Sequence, residues 1–265
     1  MARKSRKANR RHPLATVLLI AIGLVVTGGG YAAFSSTTTA SAETDSAASQ
    51  SVIDEGEKLF ASNCATCHGM SLEGTPDGPS LIGVGAASVN FQVGTGRMPM
   101  AMQGPQAMQK PPQFTDEQTA ALAAYVASIS PGPAIPDESL LQADGDAANG
   151  GELFRINCAM CHNVAGAGGA LTEGKFAPEL TGVLATHIYE AMLTGPQNMP
   201  VFNDDNLTPE DKRDIITYLK YIENNPSPGG YELGSLGPVA EGLFVWIFGL
   251  GAIIGLMVWI TAKSN

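Results

Sequence analysis

The segment GEKLFASNCATCH at residues 56–68 returns as GGELFRINCAMCH at residues 150–162, and the two copies use all four cysteines of the chain. The match continues in order. GPSL (78–81) pairs with APEL (177–180), TGRMP (95–99) with TGPQNMP (194–200), and FTDEQTAALAAYVASI (114–129) with LTPEDKRDIITYLKYI (207–222). An internal repeat of this kind means two copies of one structural unit. Units this short bury only a modest core, so a cofactor or another staple is expected in each.

Each repeat begins and ends with a helix. Thr115 with Gln118, and Thr208 with Asp211, have the spacing of reciprocal N-caps. Pro209 falls at a first helical position, where its missing N–H costs nothing. Leu122, Tyr125, Val126 and Ile129 recur at helical spacing, as do Ile215, Tyr218, Leu219 and Ile222. No segment between these helices alternates as a strand does, so both domains are expected to be all-α. Residues 131–148, rich in Pro, Asp and Gly, read as an exposed linker. Residues 35–50 and 224–240 read as tethers, the second stiffened by its prolines.

CxxCH is the attachment signature of c-type haem. Cysteines three positions apart lie on nearly the same side of a helical turn, so both thiols can add to the two vinyl groups of one porphyrin. The histidine that follows then lies beneath the iron. The expectation is two covalently bound haem c groups, one on Cys64 and Cys67 with His68 as iron ligand, the other on Cys158 and Cys161 with His162. Disulfides would leave the two matched histidines without a role. Zinc would need four ligands around one metal, and a thioredoxin-like pair would need a βαβ context.

The second axial ligand must come from further along. Only His12 and His187 remain among the histidines, and His12 sits in a basic tail. A methionine thioether also ligates haem iron. Met98 and Met199 hold matching places, each before a proline, with Met100 and His187 as the respective alternatives. Met70, Met102, Met108, Met160 and Met192 are assigned to packing or surface. A ligating histidine normally donates its other N–H to a carbonyl, and Pro79 and Pro178 are the candidates to supply it. Gly56 with Phe60, and Gly150 with Phe154, place a gap and a ring on one helix face, against which Tyr125 and Tyr218 can pack. Arg97, beside Met98, suits either a haem propionate or solvent.

Two uncharged apolar stretches, Leu14 to Tyr31 and Leu243 to Thr261, are close to the ~20 residues that cross a bilayer as a helix. Six basic residues and no acid precede the first, and Lys263 follows the second. Positive flanks stay in the cytoplasm, so both termini are expected inside and the repeats outside. Ala40-Ser41-Ala42 resembles a signal-peptidase site, but the length of the apolar run favours a retained anchor. Trp246 and Trp259 mark the ends of the second span, and Gly251 and Gly255 form a GxxxG step. Between residues 35 and 237 there are 8 Lys+Arg against 24 Asp+Glu, a balance of −16. Such a surface suits docking on a basic partner, and equally solubility.

GxxxF before CxxCH, then PxL, MP and a closing helix with Tyr resemble class I cytochrome c, a small helical wrap around one haem that transfers single electrons. The resemblance covers both repeats. Two such domains between a basic N-terminal anchor and a C-terminal membrane helix look like the dihaem cytochrome c subunit of the actinobacterial menaquinol–cytochrome bc1 complex. The resemblance implies a cytoplasmic tail at 1–13, a membrane helix or signal anchor at 14–34, a tether at 35–50 and a first cytochrome c domain at 51–130. A linker at 131–148, a second cytochrome c domain at 149–223, a linker at 224–240 and a membrane helix at 241–263 complete the chain. It further implies a plasma-membrane, multi-pass subunit of quinol–cytochrome c reductase. Its expected partners are cytochrome b, the Rieske iron–sulfur protein and an aa3-type oxidase, with membrane lipid around the helices. Electrons would pass from the Rieske protein to the oxidase copper centre, and no nucleic acid, small-molecule substrate or bond-making chemistry of its own is expected. The c-type subunit of a cbb3-type oxidase is the nearest alternative, although its usual anchoring is N-terminal. A dihaem peroxidase or sulfur-compound oxidoreductase would need an open axial position, against which the paired methionines argue.

Overall fold

The computed structural model describes residues 17, 21–25, 50–225 and 242–262. The chain divides into two compact units, residues 1–52 and 53–265. In the first, residues 17, 21–25 and 50–52 are helical. The expected tail at 1–13, most of the helix expected at 14–34 and nearly all of the tether at 35–50 lie outside the described residues, as does most of the linker at 224–240.

The second unit holds both repeats, and they are built alike. The first runs α1 (50–63, of which 53–63 belong to this unit), α2 (Ala65–His68), α3 (Gly85–Gly94) and α4 (Asp116–Ile129). A 3-10 turn at Glu138–Leu140 leads to the second. This has α5 (Ala147–Asn157), α6 (Ala159–His162), α7 (Ala185–Thr194) and α8 (Pro209–Asn224), with strands β1 (Gly169–Ala170) and β2 (Phe176–Ala177) between α6 and α7. The antiparallel β1–β2 ladder pairs Gly169 with Ala177. It and a Thr75–Gly78 bridge depart from the all-α expectation. Two-residue strands are too short to show a period of two in sequence. What they do is fix the loop that ends at Pro178.

The closing helices start where their caps dictate. Thr115 Oγ1 accepts from Gln118 N while Gln118 Oε1 accepts from Thr115 N, and Thr208 and Asp211 do the same at α8. At α5 the Asp146 carboxylate accepts from the N–H groups of Ala148 and Asn149. Each such cap stabilises its helix by about 1 kcal/mol.

Opening and closing helices cross at a glycine in both repeats. A β-carbon on Gly56 would stand 2.0 Å from the Ala121 carbonyl oxygen, and one on Gly150 would stand 1.9 Å from that of Asp214. Only glycine lets the two backbones approach so closely. One turn on, Phe60 and Tyr125 pack with ring centroids 5.4 Å apart at 48°, and Phe154 and Tyr218 at 5.6 Å and 43°. Around these pairs lie the two cores. One holds Phe60, Leu72, Val93, Leu122, Tyr125 and Val126, and the other is centred on Phe154, Ile188, Ile215, Ile216 and Leu219.

The repeats are also joined to each other, chiefly through α3 and α7. Asn90 Nδ2 donates to Glu190 Oε1 at 2.8 Å, and Phe91 meets the His187 ring edge-on at 6.1 Å. Gln106 binds both backbone groups of Phe176, each at 2.9 Å, extending the β2 edge with a side-chain amide.

A last helix, α9 (Gly242–Ala262), contains a π-helical turn at Val245–Leu250. Its 21 residues rise about 31 Å at ~1.5 Å each, the thickness of a hydrocarbon core. It is long and apolar enough to cross a membrane, and none of its residues is buried within the chain.

Candidate functional site

Each CxxCH motif is folded the same way. The opening helix stops at its first cysteine, with φ −122°, ψ −36° at Cys64 and φ −120°, ψ −36° at Cys158. A single helical turn then carries the second cysteine and the histidine. Residues at positive φ, Gly69 (76°) and Asn163 (68°), send the chain away after each histidine.

His68 Nδ1 lies 2.8 Å from the Pro79 carbonyl oxygen, and His162 Nδ1 lies 2.9 Å from that of Pro178. A carbonyl only accepts, so Nδ1 must donate, which leaves the Nε2 lone pair of each ring available to a metal. The loops that supply the carbonyls are anchored in turn. Thr75 Oγ1 donates to Cys67 O at 2.7 Å, and Ser80 Oγ to Leu72 O at 3.0 Å. Burial pushes the His162 imidazole below its ordinary pKa, opposed by its bond to Pro178. That favours the neutral ring that ligation requires.

All four cysteines are unpaired. Burial first, and the neighbouring thiol second, push Cys64 and Cys158 each up to about 11. A thiol held so high is a poor nucleophile and a poor metal ligand at neutral pH. An uncharged thioether suits both positions. Among the described residues no cluster of three or more His, Cys, Asp or Glu is placed to enclose a bare metal ion.

The methionines separate by surroundings. Met98 packs on the first core together with Cys64. Its backbone N–H is bound to Gln92 O at 2.9 Å, and Lys110 Nζ donates to Gly96 O and Pro99 O on either side of it, at 2.6 and 2.5 Å. Met100 is half-buried but not part of that packing. Met70, Met102, Met108 and Met160 are exposed. In the second repeat a cavity of about 630 Å³ is walled by Cys158, Cys161, His162, Pro178, Met192 and Met199. This volume is within the ~300–1,000 Å³ of ordinary cofactor sites. Met192 is a buried neighbour of Met199 that sequence alone assigned to packing or surface. With Thr194 set on Thr95, as the repeat dictates, its counterpart is Val93 of the first core, while Met199 corresponds to Met98. His187 also borders the cavity, but its Nδ1 is tied to Glu190 Oε2 at 3.0 Å.

Lys110, the Asn90–Glu190 bond and the approach of the first repeat to the second cavity are features that sequence reasoning did not reach. Lys110 lies in a proline-flanked loop with no counterpart in the second repeat, so the duplication could not point to it. Arg97, 9 % exposed, lies over the Phe91 ring at 4.9 Å, and burial lowers its pKa from the ordinary value.

The fold and the twin Cys-Cys-His sites define a tandem c-type cytochrome, and sequence comparison agrees. The cytochrome c family model matches residues 53–130, and the model described as cytochrome c oxidase, cbb3-type, subunit III matches residues 145–219. The cytochrome bc1 complex cytochrome c subunit of Corynebacterium efficiens is 46 % identical, over 98 % of this chain and 93 % of its own length. That of Mycobacterium tuberculosis is 46 % identical over 99 % and 95 %. A cytochrome c-553-like protein of Synechocystis is 33 % identical over 31 % of this chain and 75 % of its own. The chain belongs to the family of cytochrome bc1 complex cytochrome c subunits, membrane-associated proteins of respiratory electron transfer.

Proposed function

We propose that this chain is the dihaem electron relay of a menaquinol–cytochrome bc1 complex, taking electrons one at a time from the Rieske iron–sulfur protein and passing them to the copper centre of an aa3-type oxidase. Haem c, when bound, supplies a one-electron Fe(III)/Fe(II) couple. Everything else is the work of the chain. Cys64 and Cys67 would hold one haem by thioethers, and Cys158 and Cys161 the other. His68 and His162 would ligate the irons through Nε2, oriented by the Pro79 and Pro178 carbonyls. Met98 and Met199 would supply the second iron ligands, their thioethers keeping small molecules off the metal. The cytochrome c domains span 51–130 and 149–223. They stand outside the plasma membrane between an N-terminal anchor at 14–34 and the C-terminal helix, with both chain ends in the cytoplasm. In this reading the chain is the electron-transfer subunit of a quinol–cytochrome c reductase, with cytochrome b as a further partner.

The observation that carries the reading is the repetition of one site geometry, with Nδ1-to-carbonyl distances of 2.8 and 2.9 Å and matching helix breaks. The near full-length similarity to bc1 complex subunits supports the choice of complex. Gentle purification from native membranes tests it. Cytochrome b, a Rieske protein and aa3 oxidase subunits are expected to accompany the chain. The match of residues 145–219 to a cbb3-type subunit model favours a second reading, as the c-type subunit of such an oxidase. Recovery with a cbb3-type catalytic subunit and no Rieske protein would establish that reading instead.

A further inference from the structure

The second repeat's cavity is not closed by the second repeat alone. Phe91, Gly94, Thr95, Arg97, Gln106 and Gln109 of the first repeat complete its wall. Among them Arg97 is a buried cation, and no ion pair of Arg97 exists among the described residues. Its neighbour is the face of Phe91, a weak partner for a charge removed from water. The other charged groups on this wall are Lys175, whose Nζ lies 3.6 Å from the exposed Glu173, and the acid Glu179. The residue before Met199, matching Arg97 before Met98, is Asn198, so the second repeat has no cation of its own at that place.

We propose that Arg97 of the first domain binds a propionate of the haem seated in the second domain's cavity, so that one domain supplies the charge that completes the other's cofactor site. The proposal rests on the reading of Cys158, Cys161 and His162 as a haem site. A haem carries two carboxylates, and a guanidinium matches a carboxylate in a two-point hydrogen-bonded fork. Arg97 thereby becomes a positioning residue for the second haem. Its charge near that haem favours the reduced iron and raises the potential. It also makes the contact between domains depend on cofactor loading.

The test uses the full-length protein in its native membrane complex, with Arg97→Gln and Arg97→Lys, each also in a Met199→His background that marks the second haem by lowering its potential. Covalent haem per chain is counted first. Absence of the second haem from wild-type protein would defeat the underlying reading, and this count separates that failure from failure of the proposal. With both haems present, Arg97→Gln is expected to shift the second haem toward the oxidised form by about tenfold, near 59 mV for one electron. Arg97→Lys, which keeps the charge but not the fork, is expected to shift it less, in the same direction. The near-infrared methionine–iron band of the first haem is expected to persist. An unmoved second-haem potential in both variants overturns the proposal, as does a shift confined to the first haem. Should Arg97→Gln fail to assemble, the Lys variant alone decides, because an ammonium in place of the two-point fork must still register in the second haem.

Discussion

Asn90 Nδ2 stands 2.8 Å from Glu190 Oε1, a bond from the first cytochrome domain to a carboxyl with no exposure to solvent at all. The other oxygen of Glu190 faces His187 Nδ1 at 3.0 Å. The pair joins α3 to α7 beside the second domain's cavity, and it places a buried polar contact where two duplicated units meet. Buried polar groups are costly unless satisfied, so this contact specifies how the domains dock.

Asn90→Ala removes one partner and leaves a buried oxygen of Glu190 unsatisfied. The expected loss is about 1–3 kcal/mol, read as a lower denaturant midpoint with the two domains no longer unfolding together. A single transition at the wild-type midpoint would show that the Asn90–Glu190 bond carries no coupling.

Gly56→Ala and Gly150→Ala each drive a methyl group into a backbone carbonyl, at 2.0 and 1.9 Å. Backbone in a helix crossing cannot step aside as a side chain can. Destabilisation of about 1–3 kcal/mol or more is expected, which lowers the melting temperature by at least ~4 °C for domains of this size. Melting curves of the two variants check it. Wild-type curves would mean that the helices cross less tightly than these distances require.

Lys110 clasps the carbonyls of Gly96 and Pro99, which bracket Met98. Lys110→Met keeps much of the side-chain bulk and releases the clasp. If Met98 ligates the first haem, added imidazole or cyanide is expected to bind that haem at least about tenfold tighter, a difference of ~1.4 kcal/mol, with the second haem unchanged. Ligand titration followed by absorbance measures this directly.

Cys64 and Cys158, in protein made without haem attachment, are held up to about 11 by burial. Their alkylation is expected to be slow at pH 7 and to speed up as pH rises toward that value, because only the thiolate reacts. Mature protein is expected to resist alkylation at every pH, its sulfurs being thioethers. Peptide mapping after iodoacetamide treatment distinguishes the two. Fast labelling of the mature chain would contradict covalent attachment.

Much of this architecture is legible in the sequence because duplication repeats each signal. Thr115 with Gln118 and Thr208 with Asp211 form the reciprocal caps their spacing announces. Gly56 and Tyr125 read as a gap and a filler, and their counterparts Gly150 and Tyr218 repeat the pattern across a helix crossing. The C-terminal helix follows from composition alone, whereas the N-terminal span lies mostly outside the described residues. The β1–β2 ladder escapes notice because two residues cannot display alternation. Arg97 illustrates a deeper limit. From sequence it belongs beside Met98 in its own domain, and only the packing of α3 on α7 turns it to the neighbour's cavity. Gln106 and Glu190 are invisible for the same reason, since contacts made between repeats leave no trace in the pattern within one.

The central claim is that two haems are bonded to one polypeptide through Cys64, Cys67, Cys158 and Cys161. Intact mass of the mature chain after denaturation and acid–acetone extraction tests it most directly. The expected result is a polypeptide carrying two haems that extraction does not remove, falling to one when Cys64 and Cys67, or Cys158 and Cys161, are replaced by serine. A bare polypeptide mass, or a single haem in the unaltered chain, would contradict it.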